Sequence, residues 1–250
     1  ACDRYEFLFE GFRHFFDAHG NRNFACSYYF ATEELSVNIK GFANIKSGKG
    51  EWSDRLRKLL RDEIKEDYVL YFQEDMWLSK NTNPEFFNEL IELTRKHDWK
   101  MVKLHSSEIY VTTSTGTFIQ GFEITKLDNE ASRFLMSHQV TLWNKEFLIE
   151  QLFPEEHPWR NERRATKRMK KSLPEIFHVD YFAENGKSAT NRNREMIGRS
   201  EYRTVSLNAM LNRNVLPYIA LLQKGNEAEK KYATQLHLHL DQELTHDGKA

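Results

Sequence analysis

The sequence predicts an α/β fold in which a sheet is flanked by helices, and three observations support this prediction. Apolar residues at helical spacing alternate with short runs of β-forming residues up to about residue 150. The 250 residues suffice for one large domain or two small ones. No run of about 18 apolar residues is present, so the sequence predicts no membrane span.

The charge of the chain is nearly balanced, with 36 Lys and Arg against 37 Asp and Glu and a net charge of -1. This balance excludes a globally basic nucleic-acid-binding protein, and we expect no nucleic-acid partner. Cys2 and Cys26 are too few for a disulfide scaffold, so a reducing compartment such as the cytoplasm is expected.

The first half of the chain shows helices and strands in turn. Residues 5–18 place Phe and Leu on one side of a helix, and residues 25–31 are typical of a strand. A helix capped by Ser53 follows. It leads into residues 68–72 (YVLYF), which predict a buried strand closed by Gln73-Glu74-Asp75.

The next stretch continues the pattern. Asn83 with Pro84 predicts the start of a helix, and Asn144 predicts the cap of another that ends near Leu152. The strand-like segments between them are 101–104, 109–113, 117–124 and 134–143. Nearer the carboxyl terminus, 206–219 and 227–240 have helical spacing. The alternation favours a largely parallel sheet, in which ligands bind beyond the carboxyl ends of the strands.

Glu74 and Asp75 lie at such a strand end. Ionised carboxylates are costly to bury, so adjacent acids after an apolar strand face either water or a cation. In one interpretation they hold a divalent metal ion, which prefers oxygen ligands and binds the phosphates of a nucleotide. In the other they are solvated residues of a loop.

Four short blocks of sequence resemble bacterial glycosyltransferases with the GT-A fold. Residues 51–56 (EWSDRL), a helix, and then 68–75 (YVLYFQED) are similar to the nucleotide-sugar half of that family. Residues 1–5 (ACDRY) resemble the loop after its first strand. Residues 139–145 (QVTLWNK) and 158–162 (PWRNE) resemble its acceptor side. The resemblance covers about residues 1–165 and implies a GT-A-like, Rossmann-type mixed sheet flanked by helices.

The resemblance also implies roles for residues of the nucleotide half. Asp3 and Arg4 would lie at the base and ribose of the nucleotide, and Arg55 would contact its phosphates or ribose. Asp75, assisted by Glu74, would bind Mn²⁺ or Mg²⁺. Gln73 stands where a full Asp-x-Asp motif has its first acid, which leaves open which carboxylate contacts the metal. For Arg55 the alternative is a surface ion pair with Glu51 or Asp54.

On the acceptor side, Glu162 would be the general base that takes the proton of the acceptor hydroxyl. Trp143 and Trp159 would offer flat apolar surfaces on which a sugar ring stacks. A carboxylate beside such a Trp wall can have a raised pKa, which suits a base. The alternative is that both Trp side chains belong to the core and Glu162 pairs with Arg163 or Arg164.

Two further features have a structural and a functional interpretation. His178 and Asp180 are two residues apart in a predicted strand and point the same way. Because a late His completes the metal site in some GT-A enzymes, the resemblance offers His178 as a further metal ligand, against a polar pair without that role. Residues 160–171 hold seven basic residues and one acid. They form either a solvated helix face or a site for a diphosphate or an anionic membrane surface.

The predicted function is a glycosyltransferase that moves a sugar from a nucleotide-diphosphate donor to a glycan or lipid-linked acceptor in bacterial surface polysaccharide synthesis. We expect it in the cytoplasm, with peripheral contact to the inner face of the membrane through 160–171. A catalytically silent nucleotide- or sugar-binding module is the alternative. A metal-dependent nuclease is a third, although Met101 stands where the acid before Lys103 would be needed.

The predicted organisation is one GT-A-like core over residues 1–171 and a mostly helical extension over 172–250. The nucleotide-sugar half of the core would cover about 1–80 and the acceptor half about 81–171. Residues 1–3 resemble the exit from a first strand, so we expect several apolar residues upstream of Ala1 in the natural chain.

Overall fold

The computed structural model describes residues 1–24, 26–187 and 198–249. Its helices are α1 Glu6–His19, α2 Trp52–Asp62, α3 Pro84–Lys96, α4 Lys145–Gln151, α5 Pro158–Ser172, α6 Leu216–Leu222 and α7 Glu227–Asp241. Its strands are β1 Tyr29–Thr32, β2 Ala43–Lys46, β3 Tyr68–Tyr71, β4 Met76–Lys80, β5 Met101–His105, β6 Thr112–Ile119, β7 Phe122–Leu127, β8 Thr141–Asn144, β9 Phe177–Glu184, β10 Ser200–Thr204, β11 Ser206–Leu207 and β12 Met210–Leu211.

A mixed sheet of eight strands forms the centre of the fold. Six of them follow the order β3-β8-β5-β9-β10-β4, and the β6–β7 hairpin joins through β7, which pairs with β9. β9 runs parallel to β5 and to β10, whereas β8 runs antiparallel to both β3 and β5. The predicted α/β fold with a mixed sheet flanked by helices is therefore confirmed. The expectation of a largely parallel sheet is wrong, because five of the seven strand pairings described in this sheet are antiparallel.

Aromatic packing joins α1 to the sheet. Phe12 and Phe15 of α1 are buried with Trp77 of β4, which is 0% exposed. A Cβ atom at Gly11 would lie 2.0 Å from the Trp77 ring, so the helix approaches β4 this closely because Gly11 has no side chain.

Two of the three helix caps predicted from the sequence are present in the structure. The Asn83 side chain accepts hydrogen bonds from the first turn of α3, and the Asn144 side chain accepts one from Phe147 in α4. The predicted cap at Ser53 is wrong, because α2 begins at Trp52 without a side-chain cap. Ser53 instead accepts a hydrogen bond from the N–H of Glu156, at 3.0 Å, and so ties α2 to the segment before α5.

The structure corrects the prediction of a mostly helical extension over 172–250. β9 and β10 are neighbouring strands inside the central sheet, so the core does not end at residue 171. The predicted helix over 206–219 is instead the β11–β12 hairpin, a 3-10 turn at Arg213–Val215 and the short helix α6. The helix predicted over 227–240 is present as α7. Residues 188–197 and 250 of this region lie outside the described residues, as does Ala25 of the predicted first strand.

Several predicted strands also differ from the observed ones. Most of 109–113 is loop before β6, and 117–124 spans the turn between β6 and β7. Only the end of 134–143 is a strand, β8, because residues 134–140 bend and bring polar side chains against the sheet. The strand predicted to be buried over 68–72 is β3, which is only half-buried and leaves Leu70 38% exposed. No helix within the described part of the chain is long and apolar enough to cross a membrane.

Candidate functional site

The carboxyl ends of three strands lie at one edge of the central sheet. β3 and β5 are both antiparallel to β8 and therefore parallel to each other, and β9 is parallel to β5. Asp75 follows β3 in the turn to β4, and Glu184 is the last residue of β9. Because α/β sheets bind ligands beyond this edge, it is the place for a candidate site.

Glu74 and Asp75 form the half-buried turn between β3 and β4. One carboxylate oxygen of Glu74 accepts a hydrogen bond from the N–H of Cys2 at 3.3 Å, and the other lies 3.9 Å from the Ala1 ammonium. Burial, and then the negative charge of Glu74, raise the pKa of Asp75 to about 7. Asp75 therefore gains and loses a proton near neutral pH.

His178 does not complete a metal site with these two acids. Its Nε2 lies 3.0 Å from the His105 carbonyl oxygen and donates to it. Burial lowers the pKa of His178, and the positive charges of Lys103 and Arg199 also lower it. In residues 1–24, 26–187 and 198–249 no three His, Cys, Asp or Glu side chains are grouped to hold a metal ion. Glu74 and Asp75 alone are an incomplete metal site, and a metal-binding role of His178 stays a prediction.

Asp3 holds the loop after β1. Its two carboxylate oxygens accept hydrogen bonds from the N–H groups of Glu33, at 2.8 Å, Glu34, at 2.8 Å, and Leu35, at 3.0 Å. Asp3 thus stabilises the loop after β1, and its contact with a nucleotide base stays a prediction. Arg4 is exposed, with its guanidinium 5.3 Å from the Tyr5 ring centre.

Arg55 is oriented by an ion pair. Its Nη1 lies 3.1 Å from an oxygen of Glu33, and its side chain is 12% exposed. The alternative pairing with Glu51 or Asp54 is not the one observed. Arg55 and Glu74 line the same cavity, so the helix before β3 and the turn after it do face a common space.

Glu162 of α5 lies against the bent segment before β8. Its carboxylate accepts a hydrogen bond from the N–H of His138 at 2.8 Å. Burial raises the pKa of Glu162, whereas that hydrogen bond and the charge of Lys103 lower it. The His138 ring is fixed by an edge-to-face contact with Trp52, at 4.4 Å between ring centres. Glu162 is therefore a positioned carboxylate that faces inward rather than a surface partner of Arg163 or Arg164.

Glu162 belongs to a buried polar cluster made of Lys103, Tyr110, Ser137, Glu162 and Glu184. The Nζ of Lys103 donates to the Ser137 hydroxyl at 2.7 Å and lies 5.0 Å from the Tyr110 ring centre. Burial lowers the pKa of Lys103 to about 7, and the charge of Glu162 opposes that change. Burial, and then the charge of Glu162, raise the pKa of Glu184 to about 7.

Sequence reasoning missed Glu184 altogether and considered Lys103 only for a nuclease. The available signal was a lysine in the apolar strand 101–105 (MVKLH), since an unpaired lysine is seldom fully buried. No such signal marks Glu184, because an acid at the end of a strand is usually exposed.

Tyr202 connects the buried polar cluster with the turn after β3. It is 0% exposed in β10, and its hydroxyl donates to the side chain of Gln139. Burial raises the pKa of Tyr202, and the negative charges of Glu184 and Asp75 both raise it further. Asp75 and Glu184 therefore act on one side chain, and the two halves of the candidate site meet there.

The two tryptophans predicted for the acceptor have different environments. Trp143 is 1% exposed and packs in the core with Leu148, so it offers no ring to a sugar, and that prediction is corrected. Trp159 is 59% exposed. It precedes Glu162 by three residues on α5, and side chains at this spacing are neighbours on a helix surface.

The basic run lies on α5. Arg163, Arg164, Lys167 and Lys171 are exposed, which agrees with a solvated helix face. Arg168 is half-buried, and two of its nitrogens each lie 3.2 Å from Glu156, which is 1% exposed. The exposed Arg164 also approaches Glu156, at 3.6 Å.

Comparisons with known proteins show a similarity to solved structures alone. No family model and no curated protein match the sequence. One solved structure similar to this chain is the crystal structure of S. aureus TarS 1-349, with 11% identity and a TM-score of 0.47 over 93% of this chain. This chain covers 66% of that one. Because a fold does not fix an activity, the function is argued from the site.

Proposed function

We propose that this chain is a glycosyltransferase that moves a sugar from a nucleotide-diphosphate donor to a glycan or lipid-linked acceptor in bacterial surface polysaccharide synthesis. The observation that carries the proposal is Glu162, an inward-facing carboxylate with a raised pKa, held by the N–H of His138 and adjacent to the exposed Trp159. A base next to an aromatic platform suits a sugar hydroxyl as substrate.

Glu162 would act as the general base. The acceptor oxygen attacks the anomeric carbon and transfers its proton to Glu162, while the bond from that carbon to the diphosphate oxygen breaks and the nucleoside diphosphate leaves. The raised pKa suits this role, because a base works best when its pKa is near the operating pH. Stacking on Trp159 would hold the acceptor sugar. In this geometry the configuration at the anomeric carbon inverts.

The donor would lie near the turn after β3. Arg55 is already oriented by Glu33 and lines the same cavity as Glu74, which supports a contact with phosphate. Asp3 and Arg4 would lie at the base and ribose. Since Glu74 and Asp75 do not make a complete metal site, no step is assigned to Mn²⁺ or Mg²⁺, and metal is a variable of the experiment.

The exposed basic face of α5 supports a peripheral contact with the inner face of the cytoplasmic membrane. Trp159 is 59% exposed and lies about one turn before Arg163 on α5. Phe153 is 46% exposed, and its ring centre lies 3.9 Å from the Arg168 guanidinium. Aromatic and basic side chains together suit a surface of anionic lipid, where a lipid-linked acceptor would lie.

A catalytically silent nucleotide- or sugar-binding module is the second candidate. It is favoured by Gln73 and by the lack, in the described residues, of a grouped set of three metal ligands. The nuclease has less support, because Lys103 is 0% exposed and cannot contact a phosphodiester in this conformation.

Two measurements test the proposal. The first is a thermal-shift panel of UDP, GDP, dTDP and CMP, each with and without Mn²⁺, and a transferase requires that one of them stabilises the chain. The second follows slow hydrolysis of the matching nucleotide sugars by the parent chain, Glu162→Gln and the exposed control Arg163→Gln. Nucleotide binding without any hydrolysis supports the binding module, and no nucleotide binding at all contradicts both the transferase and a nucleotide-binding module.

A further inference from the structure

The first turn of α2 contacts both halves of the candidate site. Its fourth residue, Arg55, lines the cavity in which the donor is proposed to lie. The three residues before it, Trp52, Ser53 and Asp54, instead contact the two segments that position Glu162. One helical turn therefore lies between the proposed donor contact and the proposed base.

Ser53 forms a reciprocal pair of hydrogen bonds with Glu156, which lies two residues before α5. The Ser53 N–H donates to the Glu156 carbonyl oxygen at 3.2 Å, and the Ser53 hydroxyl accepts from the Glu156 N–H at 3.0 Å. Asp54 adds a third bond, because its carboxylate accepts from the Glu155 N–H at 3.1 Å. We call these three hydrogen bonds the α2–α5 joint. Ser53 is 0% exposed, so water does not replace its hydroxyl as the acceptor.

The α2–α5 joint continues into α5 through the carboxylate of Glu156, which is 1% exposed. The side chain of Asn161 donates to this carboxylate at 2.8 Å, and Arg168 lies 3.2 Å from it. Asn161 also donates to the Gln151 carbonyl oxygen at 2.8 Å, and it immediately precedes Glu162. A shift of α5 relative to α2 would therefore leave buried polar groups without partners, which is costly.

A second contact connects α2 with Glu162 through the bent segment before β8. The Trp52 ring packs edge-to-face against the His138 ring, with 4.4 Å between the ring centres. The N–H of His138 in turn donates to the Glu162 carboxylate at 2.8 Å. Two successive residues of α2 thus act on Glu162: Trp52 through the segment that bonds to its carboxylate, and Ser53 through the helix that carries it.

We propose that Ser53 is a positioning residue of the transferase, which together with Trp52 fixes the base Glu162 relative to the donor contact Arg55. This role rests on the proposed function, since it concerns where the base lies relative to the donor. The acceptor oxygen must reach the anomeric carbon from the side opposite the diphosphate, and a misplacement of about 1 Å can lower a rate about 10²-fold. Ser53 is 0% exposed and acts through Glu156 rather than on a substrate.

The test compares the wild type with Ser53→Ala, Asp54→Ala and Ser200→Ala. Asp54 is exposed, so Asp54→Ala removes one bond of the α2–α5 joint with little disturbance of folding. Ser200→Ala is the matched control. Ser200 is also 0% exposed, and its hydroxyl donates to the Lys80 carbonyl oxygen at 3.0 Å, within the central sheet and away from α2 and α5.

Amide exchange at His138 is the first measurement, because its N–H bonds directly to Glu162 and its exchange requires no enzyme activity. Ser53→Ala should speed this exchange about tenfold or more, Asp54→Ala should speed it less, and Ser200→Ala should leave it unchanged. The second measurement is hydrolysis of the matching nucleotide sugar. Ser53→Ala should lower kcat about tenfold or more and keep KM within about twofold, because Arg55 retains its ion pair with Glu33.

Unchanged exchange at His138 in Ser53→Ala would overturn the proposal. So would equal effects of Ser53→Ala and Ser200→Ala, which would indicate general destabilisation. Faster exchange with an unchanged kcat is a third contrary result, because the α2–α5 joint would then not serve the reaction. If the wild type hydrolyses no nucleotide sugar, the proposed function fails and this role fails with it, whereas an active wild type with any of the three contrary results overturns the role alone.

Discussion

Glu162 and Glu184 share one buried environment, in which burial and the negative charge of Glu162 raise the pKa of Glu184 to about 7. Lys103 lies in the same environment, and burial lowers its pKa to about 7 while Glu162 opposes this. The charge of Glu162 therefore acts on both Lys103 and Glu184, whose pKa values lie near neutral pH. Such perturbed groups are typical of functional sites, and they also make the cluster testable by titration.

Replacing Glu162 by Gln should remove the base and change the titration of its neighbour. Transfer to the acceptor should fall about 10²- to 10⁴-fold. The pKa of Glu184 should fall below about 7, because the nearby negative charge is gone while burial remains. Enzyme assays and NMR of ¹³C-labelled Glu measure the two effects. Glu150→Gln, the same change at an exposed position of α4, should change neither, and an unchanged Glu184 titration in Glu162→Gln would contradict the described interaction.

Glu184→Gln should change how stability depends on pH. A carboxyl group whose pKa is raised to about 7 on folding stabilises the folded state below its unfolded pKa, and this contribution is lost as pH rises through about 7. The wild type and Glu184→Gln should therefore be similar near pH 4. At pH 8 the variant should be more stable, on the order of 2–3 kcal/mol. Urea unfolding at the two pH values measures this difference. If the two proteins differ in unfolding free energy by the same amount at pH 4 and at pH 8, Glu184 does not titrate as described.

Lys103→Met should move the acid limb of activity to higher pH. The positive charge of Lys103 lowers the pKa of Glu162, so its removal lets that pKa rise and leaves Glu162 protonated over a wider range. Activity at pH 6 should therefore fall more than activity at pH 8. The pH profile of kcat/KM is the measurement, with Lys96→Met at an exposed position as the control. An acid limb at the same pH in both variants would count against this relationship.

The sequence predicts the local parts of this molecule better than their assembly. Asn83 and Asn144 cap helices as expected because a cap is decided by the first turn alone. β9 and β10 were assigned to a helical extension because their place in the sheet depends on pairing with β5 and β4, far away in the chain. The local sequence of 177–184 contains no signal that predicts those partner strands.

The candidate site shows the same division. Glu162 and the turn at Glu74 and Asp75 could be singled out because each lies in a short motif. Trp143 could not be assigned correctly, since it is buried by elements that are distant in sequence, Met101 of β5 and Leu60 of α2 among them. The buried polar cluster forms only after Lys103 of β5 and Glu184 of β9 are both brought near Glu162 of α5. Its effect on pKa values therefore requires the fold.

Glu156 should be important for stability. It is 1% exposed, and Arg168 and Asn161 both bond to its carboxylate, Asn161 at 2.8 Å. Glu156→Gln keeps the shape but leaves the Arg168 charge without its partner, which should cost about 3 kcal/mol. The thermal midpoint should fall by about 6–12 °C. Glu155→Gln, next to it and exposed, is the matched control. A midpoint within about 2 °C of wild type in Glu156→Gln would show that this buried pair contributes little.

The exposed face of α5 should bind anionic membranes. Replacing Arg163, Arg164, Lys167 and Lys171 by Gln removes four positive charges beside the exposed Trp159. Since each basic residue near an anionic surface contributes about 1 kcal/mol, binding to vesicles with 30% phosphatidylglycerol should weaken by about tenfold or more. The control replaces the exposed Lys40, Lys58, Lys96 and Lys231 by Gln, which changes the net charge equally elsewhere. Vesicle co-sedimentation at low and at physiological salt separates the two variants. If both lose binding equally, the attraction comes from overall charge rather than from α5, and if neither binds at low salt, the peripheral contact is wrong.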